Sequence, residues 1–214
     1  MKLYAIPGLG TDRRIFSALK DFLPFDVIDW LPTIAGEGLS SYATRMAEAL
    51  PHGPVNLLGL SFGGVVAQEI AGQRPVNQII LLSSIRTPDE LPLQMQMFRW
   101  LPLYQLARGN WRVKSLPLWS PWFGITDRRE QKLLQDMFST FTDRDRMWAI
   151  DAMIHWSGPT HSAPLTHIHG GKDKVFPISR LQPDHVIPDG NHFMVHQKAA
   201  QIGPLILKIL QKNS

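Results

Sequence analysis

Residues Asn56–Ala71 read NLLGLSFGGVVAQEIA, and this stretch decides the fold. An apolar run from Val55 to Leu60 has the length and composition of a strand buried on both faces. A small-residue run from Phe62 to Gly72 follows and reads as a helix. Between them sits Gly59-Leu60-Ser61-Phe62-Gly63, with Gly64 next. The pattern G-x-S-x-G is short, and its weight comes from this setting. A sharp strand-to-helix turn forces its apex residue into a strained conformation. Glycines two before and two after remove side chains that would collide there. Such a turn lifts the Ser61 hydroxyl above the strand ends. It also points the Phe62 N–H into the same space, where the helix dipole favours negative charge.

Working outward, the same alternation recurs. Lys2–Ile6 reads as a first strand ending in the Gly-rich turn Pro7-Gly8-Leu9-Gly10. Thr11 or Asp12 caps an expected helix carrying Ile15, Phe16 and Leu19. Asp26–Leu31 reads as a second strand. Ser40 or Ser41 caps an expected helix through Leu50. Gln78–Ser83 reads as a fourth strand, Leu165–His169 as a fifth and His185–Ile187 as a sixth. A closing helix spans Gln197–Gln211, with Gly203-Pro204 marking an irregularity near its start. Strands alternating with helices imply an α/β fold, a mostly parallel sheet of about six strands covered on both faces.

The pattern breaks between residues 86 and 150. An insert of about 65 residues is too long for an ordinary connection. The expected organisation is therefore a core of residues 1–85 and 151–214 with a helical cap or lid at 86–150. Five of the seven tryptophans lie in the insert: Trp100, Trp111, Trp119, Trp122 and Trp148. Most of these serve its own packing, and a subset of its Trp and Met residues is expected to face Ser61 and make the pocket apolar.

Bulk properties bound the function. The chain has 214 residues, a formal charge of +4 and no cysteine. Disulfides, thiolate metal sites and a cysteine nucleophile are thereby excluded. Lys and Arg interleave with Asp and Glu, with no stripe for a nucleic acid. No apolar run approaches the roughly 18 residues of a membrane span. Met1 is followed almost at once by a strand, which leaves no room for a signal peptide. The expectation is a soluble cytoplasmic protein with neither nucleic acid nor membrane as partner, its oligomeric state open.

A serine hydroxyl needs a base within hydrogen-bond reach and a carboxylate to orient that base. HIHGGKDKVFP places Asp173 in the loop after the fifth strand, and DGNHFMVH places His192 after the last. Loops at the C-terminal ends of parallel strands converge on one crevice, so Ser61, Asp173 and His192 are the expected catalytic residues. An oxyanion formed at Ser61 needs donors already in place. The Phe62 N–H is one, and the Leu9 N–H is the second, with the Gly10 N–H as alternative. No cofactor or metal is required.

With these residues in place the chain resembles the α/β-hydrolases of the small esterase, lyase and acyl-hydrolase type over nearly its whole length. Ser61 matches the nucleophile-elbow position. Asp173 matches the acid in the family's H-G-x-x-D-x-x-x-P stretch, here His169 through Pro177. His192 matches the base in the terminal G-x-H, here Gly190-Asn191-His192. The insert corresponds to the family's cap. Pro7-Gly8 stands where the family usually has His-Gly, and the two N-terminal strands common in the family are absent. The resemblance implies hydrolysis of a small, largely apolar carboxylic ester or thioester through an acyl-enzyme. A lyase or C–C bond hydrolase on the same triad, and a non-enzymatic ligand receptor, are the alternatives.

Plainer roles also suit several of these residues. Asp173 also suits a turn or helix cap, with Asp184 and Asp189 as rivals for its place. His192 and His196, four apart, suit a metal pair only with a third ligand. His167 and His169 share one face of a strand and are expected to be structural. Gly8-x-Gly10 lacks the third glycine of a dinucleotide fingerprint, since Arg13 stands there.

Overall fold

The computed structural model describes residues 2–102 and 115–212; Trp111 lies outside them. Six strands, β1 (Leu3–Ile6), β2 (Asp26–Val27), β3 (Val55–Leu60), β4 (Val76–Leu82), β5 (Leu165–Gly170) and β6 (His185–Ile187), form one sheet in the order β2-β1-β3-β4-β5-β6. Every pairing is parallel. The register places Ile6 beside Gly59, Leu60 beside Leu82, Leu82 beside Ile168 and Gly170 beside Ile187. The C-terminal ends of the strands are therefore level, and the loops after β1, β3, β5 and β6 meet above one edge.

Among the described residues the α-helices are α1 (Leu39–Ala47), α2 (Phe62–Ala71), α3 (Leu93–Met97), α4 (Leu116–Trp119), α5 (Arg128–Ser139), α6 (Asp143–Ile154), α7 (Met194–Gln197) and α8 (Ala199–Lys212). Alternation along the buried strands sorts the core into two layers. Leu57, Ile79 and Leu81 pack with Val65, Val66 and Ile70 of α2 on one face. Leu58, Ile80 and Leu82 pack with Ile202 and Ile206 of α8 on the other. Each such side chain is worth about 2 kcal/mol on burial, which is why residues 57–60 and 79–82 carry no polar side chain.

Three expectations need correction, and the helix expected behind Thr11 or Asp12 is present in 3-10 form. The second strand is two residues long, not six. After Ile28 donates to Ala5 the chain lifts away, because the Trp30 indole donates to the Thr11 carbonyl at 3.0 Å and the Leu31 amide donates to the Tyr42 hydroxyl at 3.0 Å. Arg13–Asp21 is a 3-10 helix, capped by Asp12, whose carboxylate accepts from the Arg14 amide. Helix α1 starts at Leu39 behind Gly38 rather than at Ser40 or Ser41; Ser40 instead accepts from the Gln73 side chain. The closing helix breaks at Lys198, between α7 and α8, and runs straight through Pro204. Pro204 and Ala200 both face solvent, so the carbonyl that loses its partner is hydrated.

Between β4 and β5 the described residues are mostly short helices followed by the longer α5 and α6. Helix α6 is fastened to the core by its polar groups: Thr33 Oγ1 donates to Asp145 at 2.7 Å and the Trp148 indole donates to the Glu37 carbonyl at 2.7 Å.

Candidate active site

Ser61 sits at φ 51°, ψ −121°, a left-handed conformation that a non-glycine residue adopts only under constraint. The constraint is visible on every side. The Ser61 amide donates to the Leu82 carbonyl at 2.9 Å, and Ser84 Oγ donates to the Ser61 carbonyl at 2.7 Å. A Cβ at Gly59 would run into the Gly64 backbone, one at Gly63 into the Pro7 and Ile6 carbonyls, and one at Gly64 into the Ser84 side chain. The glycines let β3, α2 and the loop after β1 close on one another, and the closed turn holds the serine up.

The three singled-out polar side chains are brought together. His192 Nε2 lies 3.0 Å from Ser61 Oγ, and His192 Nδ1 lies 2.8 Å from Asp173 Oδ2. Asp173 is buried, and its other oxygen accepts from the Val175 amide at 2.8 Å and the Phe176 amide at 3.0 Å. Burial works to raise its pKa. The charge and hydrogen bond of His192, with His169 and the Phe176 amide, outweigh burial and hold it below the usual carboxylate value. The carboxylate is thus ionised at neutral pH, and its partner nitrogen on His192 carries the proton, which leaves Nε2 facing the serine hydroxyl as acceptor.

The rivals lie elsewhere. Asp184 pairs with Arg86 and accepts from the His167 amide at 2.7 Å, and Asp189 pairs with Lys172 on the surface. His196 packs its ring against Phe193. Among the described residues no group of three or more His, Asp or Glu side chains forms a metal-site cluster.

Gly8-Leu9-Gly10-Thr11 is a tight turn closed by the Thr11 amide on the Gly8 carbonyl at 3.0 Å, with Gly10 at φ 73°. That positive φ at the third position is the type II pattern, and glycine meets it. A Cβ on Gly8 would lie 3.3 Å from Ser61 Cβ, so this turn stands directly against the serine. Leu9 and Phe62 both border the cavity at Ser61. Neither amide donates to a protein acceptor among the described residues.

That cavity has a volume of about 270 Å³. Ser61 and His192 lie on its wall. The rest is almost wholly apolar: Met95, Phe98, Phe123, Leu134, Phe138 and Ile150 come from the insert, Met153 and Ile154 from the end of α6, and Val175 and Phe176 from the loop after β5. Of the insert's aromatic and Met residues, Met95, Phe98, Phe123 and Phe138 line this cavity. None of its described tryptophans does; Trp148 lines a second cleft beyond Leu9 and Phe62, with Trp30, Tyr42 and Phe141.

Three contacts were missed by sequence reasoning. The Phe123 and Phe176 rings flank His192 at centroid distances of 5.8 and 5.5 Å. The Asn191 side-chain Nδ2 donates to the Gly124 carbonyl at 3.1 Å, tying the loop of His192 to the insert. Ser84 clips the elbow to the end of β4. Only the last had a signal, the polar pair Ser83-Ser84 directly after the apolar run of residues 79–82.

The fold has close counterparts. A thermophilic esterase from Thermogutta terrifontis superposes with a TM-score of 0.77 at 19% identity, covering 100% of this chain and 90% of that one. An esterase from Exiguobacterium antarcticum gives 0.77 at 14% identity, covering 99% of this chain and 92% of that one. A poly(3-hydroxyalkanoate) depolymerase of Ectopseudomonas oleovorans is 24% identical over 198 residues, 82% of this chain and 68% of that protein. At these identities the structural likeness shows the fold alone. The sequence itself matches the alpha/beta hydrolase family over residues 3–202, and the chain belongs to that family.

Proposed function

We propose that the protein is a serine hydrolase that cleaves a small, largely apolar carboxylic ester or thioester. The observation that carries this reading is the hydrogen-bonded chain Ser61–His192–Asp173 on the wall of an apolar cavity. Ser61 Oγ attacks the acyl carbon while His192 Nε2 takes its proton. Asp173 holds the imidazole in the Nδ1–H tautomer and stabilises the imidazolium. The Leu9 and Phe62 amides receive the oxyanion at the positive end of α2. His192 then protonates the departing alcohol or thiol, and water, deprotonated by His192, releases the acid from the acyl-enzyme. Residues 86–150 act as the cap that shapes the acyl pocket over the core of residues 1–85 and 151–214.

The esterase and depolymerase relatives support an ester substrate. The cavity supports an apolar acyl group of modest size, since about 270 Å³ lies at the small end of ligand sites. A panel of p-nitrophenyl esters and matching thioesters of graded acyl length tests this. The expected result is turnover that peaks at short to medium chains and is lost in Ser61→Ala. Equal turnover by wild type and a folded Ser61→Ala protein would sink the reading.

A further inference from the structure

Asp173 touches two histidines, and the mechanism uses one of them. Its Oδ2 lies 2.8 Å from His192 Nδ1 and 3.5 Å from Nε2 of His169, a fully buried residue of β5. His169 Nε2 also lies 2.9 Å from the Phe176 carbonyl oxygen. A carbonyl only accepts, so this nitrogen carries the proton and His169 Nδ1 is bare. His167, two residues back on the same face of the strand, sets its Nε2 3.2 Å from that bare nitrogen. The link needs a donor, so His167 is also the Nε2–H tautomer, and each ring fixes the next.

His169 holds Asp173 chiefly through the loop: it donates its Nε2 proton to the Phe176 carbonyl, fixing the residue whose amide donates to Oδ1, and the same nitrogen stands 3.5 Å from Oδ2 as a polar contact beside that hydrogen bond. The far nitrogen of His167, Nδ1, is buried with no hydrogen-bond partner among the described residues. An orphaned buried nitrogen is destabilising. Two apolar side chains would fill the same space without that cost, so packing alone does not account for the histidines.

Their charge state matters. Burial first, then His169 and Arg86, push His167 down to about 3. Burial also lowers His169 against the raising effect of Asp173. The charged and titratable groups around the pair are Arg86, Asp173 and His192, with Asp184 on the His167 amide. Neutral donors leave the charge of Asp173 available to the His192 imidazolium.

We propose that His169 is a positioning residue: its Nε2–H, held in that tautomer by His167, fixes the Asp173 carboxylate that orients His192. This rests on the reading of Ser61, His192 and Asp173 as a triad. Two variants test it. His169→Leu removes the donor at similar volume, and His169→Gln keeps a side-chain N–H near the Nε2 position. Readouts are kcat and KM on a p-nitrophenyl ester, and the low-field proton resonance of His192 Nδ1–H.

For His169→Leu, kcat is expected to fall by about 10- to 100-fold with KM unchanged. The resonance shifts or exchanges faster in that variant, and His169→Gln restores most of both. The proposal is overturned if His169→Leu keeps kcat within about two-fold of wild type, if its loss lies wholly in KM, or if Gln is no better than Leu. Should His169→Leu not fold, His167→Leu breaks the tautomer hold without touching Asp173 or Phe176. It is expected to give a smaller kcat loss of the same kind, and no loss overturns the proposal. A wild-type protein that turns over no ester defeats the triad reading instead. The proton resonance still decides His169 in that case, because it reports the Asp173–His192 hydrogen bond without turnover.

Discussion

The elbow end of the sheet and the insert above it are built on opposite terms. At the elbow three glycines have no room for a methyl group, and three side chains from the loops after β3, β5 and β6 meet through hydrogen bonds of 3.0 and 2.8 Å. In the insert large apolar side chains stand in solvent: Trp100 is 90% exposed and Leu118 85%. The sheet end fixes which chemistry is available. The insert fixes how much space that chemistry has, and it tolerates change on its outer side.

The sharpest way to break this contrast is to remove the groups at the elbow. His192→Ala is expected to lower kcat on the best ester by about 10⁴-fold or more while leaving the fold intact. Circular dichroism and ester turnover together check this; a small loss would mean that another group supplies the base. Next in size is Gly59→Ala, whose methyl group meets the Gly64 backbone, which has little freedom to yield. It is expected to cost about 3 kcal/mol in urea unfolding.

A third effect is set by pH. The unfolded chain protonates His167 near 6.5, whereas the folded chain keeps it neutral down to about 3. Stability from this group is therefore complete above pH 6.5 and is lost as pH falls through that window. The slope is at most about 1.4 kcal/mol per pH unit. Urea unfolding at pH 7, 6 and 5 is expected to show the decline, flattened in His167→Leu. Asp173, held low, adds its own loss as pH falls from the ordinary carboxylate value towards its lower folded one.

Smaller still is a change in the pocket. Ile150→Ala enlarges the acyl cavity and is expected to favour longer chains, by roughly four-fold in kcat/KM per additional CH₂ buried, about 0.8 kcal/mol. Smallest of all, Trp100→Ala is expected to change stability by no more than about 0.5 kcal/mol. A large loss there would erase the distinction between the two regions.

The parts legible in the sequence are those where local spacing dictates geometry. Strand β3, the elbow and helix α2 could be placed because Gly59, Ser61 and Gly63 leave the backbone little choice. Asp173 and His192 could be placed because parallel strands send their following loops to one side. What stayed hidden depends on partners distant in the chain. Nothing near Asp26 announces that Trp30 will be drawn to Thr11 and cut the strand short. Nothing in His167-Ile168-His169 shows that one ring will reach Asp173, since a single turn of the loop decides it. Of the insert's Trp and Met residues expected to supply part of the pocket, Met95 lines the cavity and no described tryptophan of the insert does; Phe98, Phe123 and Phe138 fill that role, because the facing side of each helix is set by packing and not by composition.

The central claim is that Ser61 becomes covalently acylated. Acid-quenched wild-type protein, mixed with a short p-nitrophenyl ester and analysed as peptides by mass spectrometry, tests it most directly. The account predicts one acyl group per chain on the peptide containing Ser61, absent in Ser61→Ala and accumulating when hydrolysis of the intermediate is slowed. Ester turnover with no acyl group at Ser61, or the same labelling in Ser61→Ala, would contradict it.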